Sequence, residues 1–524
     1  MTVAQIKGRF KRAAAGAVPV GLALALGLGP WAGAARAHAS EQGFVLLLPT
    51  DIYIRAGGAT VALTVLILAL MPERAVARLF APLPLRLPLR LPLRLPRRPP
   101  LRIAARGGRR EGRRRGLRRC GPLVTSLVSA GILGGLIAVG LAGPRDPLSN
   151  PLPLAVWTLW WIALVSLQGV LGDLWRWITP FAGPLALIRA AMRALGGGGA
   201  APLRLPRRLG HAPALAGLLG FAGFLMADPA PADPARLARV VALYWLAMSL
   251  AGALFGPRWL VRGEALSVLM RAYGRVGLFG RAREPGGARG RAGTGPGVGL
   301  WGWQWLGRPV PAPGLALILL AALGCGSFDG LNETFWWLGV LGINPLEFPG
   351  RSAVVGANLG GLLAANLLLL AVFAAALRVG LALARAPVRL GRAVCVFAPS
   401  VMPIALGYHI AHYLPSFLVD GQYALAALND PLARGDDLLG LGTFYVTTGF
   451  FNTRDTVQAI WLGQAGAVVA GHVLAVGLAQ ALAQRHLARA LAPGRAALLH
   501  APLALFMIGY TIFGLWLLAS PRGV

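Results

Sequence analysis

The chain has 524 residues, 56% of them hydrophobic and only 13% charged, with a mean hydropathy of +0.63. Soluble domains carry about 25% charged residues, so this composition excludes a water-soluble globular protein. The net charge is +33 and nearly all arginine, Lys7 and Lys11 being the only lysines. The arginines fall between apolar runs of spanning length, so the positive-inside rule accounts for them and no nucleic-acid partner is implied.

Lys7, Arg9, Lys11 and Arg12 precede an apolar run over 13–31, and Ala35-Arg36-Ala37 then offers small residues at a cleavage site. This order of charged region, apolar region and small-residue site is that of a secretory signal. Cleavage after Ala37 makes 1–37 the signal peptide and His38 the first mature residue; an uncleaved first helix is the alternative. Residues 38–72 then hold a periplasmic N-terminus and the first span, at 53–72.

Further spans are predicted at 122–143, 154–171, 213–227, 236–256, 313–327, 354–377, 394–418, 458–482 and 500–519. That makes ten after the signal, most near the ~20 residues that a bilayer requires. The fold class is therefore all-α, a polytopic transmembrane bundle. Loops at 73–120, 172–212, 257–310, 378–393 and 483–499 are arginine-rich, whereas the alternate connections carry acids such as Asp146, Asp228, Asp420 and Asp437. One orientation satisfies every loop: a bacterial inner membrane with the mature N-terminus periplasmic.

Loop 73–120 holds sixteen arginines against Glu73 and Glu111, and PLRL repeats at 84–87, 88–91 and 92–95. Proline at that spacing forbids a regular helix, which predicts a disordered or surface-lying cytoplasmic segment over 82–119. Residues 121–283 carry spans two to five, 284–312 form a flexible cytoplasmic linker, and 313–524 carry spans six to ten. Tryptophans 157, 160, 161, 175, 177, 301, 303, 305, 336 and 337 fall near predicted span ends and read as interfacial anchors.

Polar groups inside a membrane are functional candidates by default. His409 and His412, in GYHIAHYL, share a helix face at i, i+3. His472, in AGHVLAVG, lies deeper on the next span. Imidazoles ligate zinc and copper, so these three form a candidate His₃ set for a divalent metal, copper or zinc. His38 would add its ring and its free α-amine, a chelate that favours copper. Among the acids on the same side, Asp329 in CGSFDGLNETFWW stands out because its flanks are apolar. It would serve as a metal ligand, as an orienting partner to an imidazole, or as a general base. Bland readings stay open for each: helix-to-helix hydrogen bonding for the histidines and solvation for the acids.

The runs NPLPLAVWTLWWIALVSLQGVLGDLWRWITP (150–180), GSFDGLNETFWW (326–337), APSVMPIALGYHIAHYL (398–414) and AGHVLAVGLAQ (470–480) resemble a family of bacterial multi-spanning proteins known as fenitrothion hydrolases. The AHAS start is also similar, while Thr179-Pro180 and the arginine-rich segments depart from the pattern. The resemblance implies hydrolysis of an organophosphate triester at the membrane, with a hydrophobic small-molecule substrate. His38, His409, His412 and His472 would then be metal ligands and Asp329 a catalytic ligand or base. Two other classes compete: a copper or solute transporter, and a non-catalytic subunit that docks on a second membrane protein. The intramembrane polar groups lean to one side, which favours a one-sided site over a through path.

Overall fold

A chain surrounded by hydrocarbon must satisfy its backbone polar groups within each segment, and helices do so. The computed structural model describes residue 45 and residues 48–85, 109–196, 203–283, 294–348, 350–442, 444–490 and 495–522. Among them nine helices are long and apolar enough to cross a membrane, so the chain is an all-α, multi-pass membrane protein. We number its elements α1 (Thr50–Leu70), α2 (Arg109–Ala142), α3 (Pro151–Leu171), α4 (Ala182–Ala194), α5 (Ala212–Ala227), α6 (Pro234–Phe255), α7 (Ala265–Gly274), α8 (Pro313–Leu331), α9 (Val355–Ala384), α10 (Leu390–Asn429), α11 (Arg454–Leu487) and α12 (Ala496–Ala519). Each of the ten predicted spans coincides with one of these helices. The fourth, α5, is the exception in length, an apolar helix of 16 residues.

The helices sort by how much of their surface other helices cover. α8, α10 and α11 form the centre, whereas α1, α2 and α6 are mostly uncovered. α9 shows the pattern within one helix. Leu359, Leu363 and Leu367 face outward at four-residue spacing, and Leu362, Leu369, Phe373 and Leu377 are buried. Both faces are apolar, as expected where one meets the core and the other meets lipid.

α10 and α11 touch backbone to backbone. A Cβ on Gly407 would lie 2.3 Å from the Ala467 carbonyl oxygen, and one on Gly471 would lie 2.6 Å from that of Pro403. Only glycine allows this approach, and it sets the separation of the helices that carry His409, His412 and His472.

Three expectations need correction. The irregular segment predicted to end at 119 does not, because helix α2 begins at Arg109; the prolines stop at Pro100, and Pro122 is the next. The flexible linker at 284–312 is in part ordered, since β3 (Thr294–Val298) pairs antiparallel with both β1 (Leu83–Pro84) and β2 (Phe279–Arg283). Several of the tryptophans are not surface anchors. Trp157, Trp160 and Trp161 sit within a π-helical stretch of α3, Leu154–Leu164, and Trp175, Trp303 and Trp305 are buried. Of their indole N–H groups, that of Trp157 donates to the Pro231 carbonyl at 3.1 Å, that of Trp175 to Ser267 Oγ at 2.9 Å and that of Trp303 to the Leu278 carbonyl at 2.9 Å, whereas those of Trp160, Trp161 and Trp305 are buried without an acceptor among the described residues.

At the end of the bundle where α3 finishes and α7 lies, buried polar side chains hold backbone in place. Gln168 Oε1 accepts from the Leu174 and Trp175 amides at 2.7 and 2.9 Å, and its Nε2 donates to the Met270 carbonyl at 2.7 Å. Glu264, fully buried, caps α7 by accepting from the Leu266 and Ser267 amides at 2.9 and 2.7 Å, and also accepts from Tyr244 Oη at 2.5 Å. The turn after α3 and the start of α7 are thereby fixed by groups that the apolar surroundings could not otherwise satisfy.

Candidate functional site

The opposite end of the bundle carries a different kind of polar cluster. Asp329 lies two residues before the end of α8, His412 lies in α10, and the chain beyond α12 returns to meet them. That return is held by backbone contacts. The Phe335 amide donates to the Pro521 carbonyl at 2.9 Å, and Thr334 forms an antiparallel bridge with Arg522.

His412 Nε2 lies 3.2 Å from Asp329 Oδ2, with the two side chains only 7% and 13% exposed. His412 Nδ1 lies 3.2 Å from Arg522 Nη2. Tyr413 Oη donates to the same oxygen of Asp329. An ionised carboxylate only accepts and a guanidinium only donates. The neutral imidazole therefore carries its proton on Nε2 and presents the Nδ1 lone pair to Arg522. A continuous chain results, Arg522 to His412 to Asp329, with Tyr413 on the far side. The opposite charges of Arg522 and Asp329 are bridged by the ring, which offsets the cost of burying them.

Around this chain lies an aromatic shell. The Tyr408 ring stacks on His412 with centroids 5.7 Å apart and planes 15° from parallel. Tyr413 meets both His412 and His409 edge-on, at 4.6 and 4.9 Å. Asp329, His409, His412 and Tyr413 line a narrow cavity of about 30 Å³ whose other walls include Leu218 and Phe221 of α5. That volume holds a water molecule.

The residues singled out in the sequence divide. Asp329 and His412 come together. His409 shares their cavity, but its Nε2 bonds to the Trp161 carbonyl at 2.9 Å, in the π-helical stretch of α3. His472 does not join them. Its Nδ1 bonds to the Val468 carbonyl of its own helix at 2.9 Å, leaving Nε2 buried without a partner. His38 lies outside the described residues. The expected three-imidazole set is thus not assembled: both nitrogens of His412 are engaged, and among the described residues no three His, Cys, Asp or Glu side chains form a group that could hold a metal ion. Among the described residues, His412 and Asp329 alone fall short of a copper or zinc donor set. Arg522, Tyr413 and Tyr408 were not among the candidates. Tyr413 adjoins His412 in GYHIAHYL, and Arg522 is a cation at the end of the molecule that the charge pattern reserves for acids.

Comparisons with protein-family profiles, with curated proteins and with solved structures returned no match to this chain. The reading of the site therefore stands on its geometry.

Proposed function

We propose that the chain is a membrane-embedded hydrolase in which the Asp329–His412 pair activates water against a lipophilic ester, with organophosphate triesters as the substrate class. The single observation that carries this reading is the Asp329 to His412 contact beside a water-sized cavity. The sequence resemblance to fenitrothion hydrolases supports the substrate class. Asp329 holds the proton on Nε2 and so leaves Nδ1 as the basic nitrogen, the orienting role that a carboxylate plays toward an imidazole base. His412 Nδ1 takes a proton from water as the hydroxide oxygen bonds to phosphorus. The P–O bond to the aryl group breaks, and the departing aryloxide recovers the proton from His412. The products are a dialkyl phosphate and a phenol. No step requires a metal.

A cavity of about 30 Å³ does not admit an aryl triester, so the bound state requires a wider site. The wall best suited to move is α5, the shortest of the ten apolar helices, with Gly217, Gly220 and Gly223 along it. The acidic-loop end would face the periplasm of an inner membrane under the positive-inside rule, and α5 would admit substrate from the bilayer. The test is hydrolysis of a dialkyl aryl phosphotriester by purified full-length protein in lipid nanodiscs, monitored by phenol release. Turnover that is unchanged by chelator and lost in His412→Ala supports the reading. Absence of turnover in the natural chain, or turnover equal in His412→Ala, overturns it.

A further inference from the structure

We infer that Arg522 is a phosphoryl-oxygen subsite that masks the His412 base until a ligand draws it away. The inference rests on His412 being the base proposed above. In the structure the only basic atom of the Asp329–His412 pair, Nδ1, is occupied by the Arg522 guanidinium at 3.2 Å. A lone pair that already accepts a hydrogen bond is not available to a water molecule. Arg522 is nevertheless well placed to leave the ring. Its position is set by backbone, through the Thr334 bridge and the Phe335 to Pro521 hydrogen bond, so its side chain can change partner without the chain end moving.

The chemistry favours an oxygen ligand over the ring nitrogen. A guanidinium presents five donors in a planar fork that suits two-point contact with a phosphoryl or carboxylate oxygen, whereas an imidazole lone pair accepts one bond. A second donor waits beside the ring. The Tyr408 hydroxyl is buried without a hydrogen-bond partner, and it lies over Gly330, where a Cβ would come within 1.7 Å of it. Gly330 adjoins Asp329, and the Tyr408 ring is the one stacked on His412. A buried donor left unsatisfied is costly, and a ligand oxygen would recover that cost. Arg522 and Tyr408 together thus form a donor pair for a P=O group, and its binding would uncover Nδ1 at the moment substrate is present. The ligand class is a neutral, lipophilic molecule bearing a strongly accepting phosphoryl oxygen.

The experiment uses triethylphosphine oxide, which has the P=O acceptor and no bond to hydrolyse. Its phosphorus resonance moves as the oxygen gains hydrogen-bond donors, so ³¹P NMR titration of the full-length protein in nanodiscs reads binding without turnover. The natural chain should bind saturably. Arg522→Met should weaken binding by about tenfold or more, the worth of a hydrogen bond to a charged donor. Tyr408→Phe should weaken it by a smaller factor, and Arg522→Lys, which keeps the charge and the backbone bridge, should fall between Met and the natural residue. His412→Ala should bind as well as the natural chain or better, because the competing acceptor is gone. Thermal midpoints of each variant identify any that fail to fold, and Arg522→Lys then carries the comparison. Absence of saturable binding, or equal binding by the natural chain and Arg522→Met, overturns the inference. Binding through Arg522 without ester turnover would instead retain the subsite and remove the hydrolase reading.

Discussion

The two polar ends of the bundle use their side chains in opposite ways. At the Gln168 and Glu264 end, polar side chains spend most of their hydrogen bonds on backbone: two amides and a carbonyl for Gln168 and two amides for Glu264, beside one side-chain contact each, with Asp173 and Tyr244. At the Asp329 end, side chains bond to one another, from Arg522 through His412 and Asp329 to Tyr413. Backbone partners make a polar group structural, because its bonds are what hold a turn or a helix start in place. Side-chain partners in a row make a proton movable, because each link can change its donor and acceptor roles without unfolding anything. The difference distinguishes scaffold from site even though both clusters are buried.

Variants can break or sharpen that contrast. The largest effect should come from His412→Ala, which removes the proposed base. Ester turnover should fall by about 10²–10⁴-fold, the usual contribution of general-base catalysis, when kcat/KM is measured in nanodiscs. Next is Glu264→Ala, which strands two amides at the start of α7 and the Tyr244 hydroxyl. Loss of a cap and of buried hydrogen bonds should cost about 3 kcal/mol of stability, read as a lowered thermal midpoint with turnover retained by the molecules that remain folded. Tyr413→Phe removes one donor from Asp329 and leaves that of His412, so about 1 kcal/mol of stability should be lost together with a modest fall in turnover.

The smallest effect concerns His211, which precedes α5 at the scaffold end. Burial, and then the nearby charges of Arg262, Arg271 and Arg275, hold its pKa below the usual 6.5. The unfolded chain therefore binds a proton more readily than the folded one, and stability falls as pH drops from about 6.5 toward the folded pKa. His211→Gln should flatten that part of the curve in thermal midpoints recorded between about pH 7 and pH 5.

The spans were legible because hydrocarbon thickness leaves little freedom. The run predicted at 313–327 is Pro313–Leu331, and that at 458–482 is the core of Arg454–Leu487. The pairing of Asp329 with His412 was half legible, since apolar flanks marked the acid and the helical repeat marked the histidine, but nothing in the spacing joined them. For His409 the sequence left two readings open, and its contact with the Trp161 carbonyl fits helix-to-helix bonding; spacing could not choose, because that carbonyl belongs to a π-helical stretch with no sequence signature. For His472 the structural reading fits, since its ring bonds to the carbonyl four residues back, that of Val468, and spacing does not reveal when a helical histidine does so. Arg522 was invisible because its position depends on how residues 334–335 capture the chain after α12, a tertiary contact with no local pattern. The tryptophans misled for a related reason: an indole suits a membrane interface, but it suits a buried cluster equally when a carbonyl is near its N–H.

The most direct measurement sets the two ends against each other, with turnover and thermal midpoint recorded side by side for Asp329→Asn and Gln168→Ala. The discriminating readout is turnover per folded molecule. Asp329→Asn should lose ester turnover even in the molecules that stay folded, whereas Gln168→Ala should lower the midpoint while its folded fraction keeps turnover. If both variants lose the same property to the same extent, the two clusters do not differ in kind, and the assignment of the Asp329 end as the working site is contradicted.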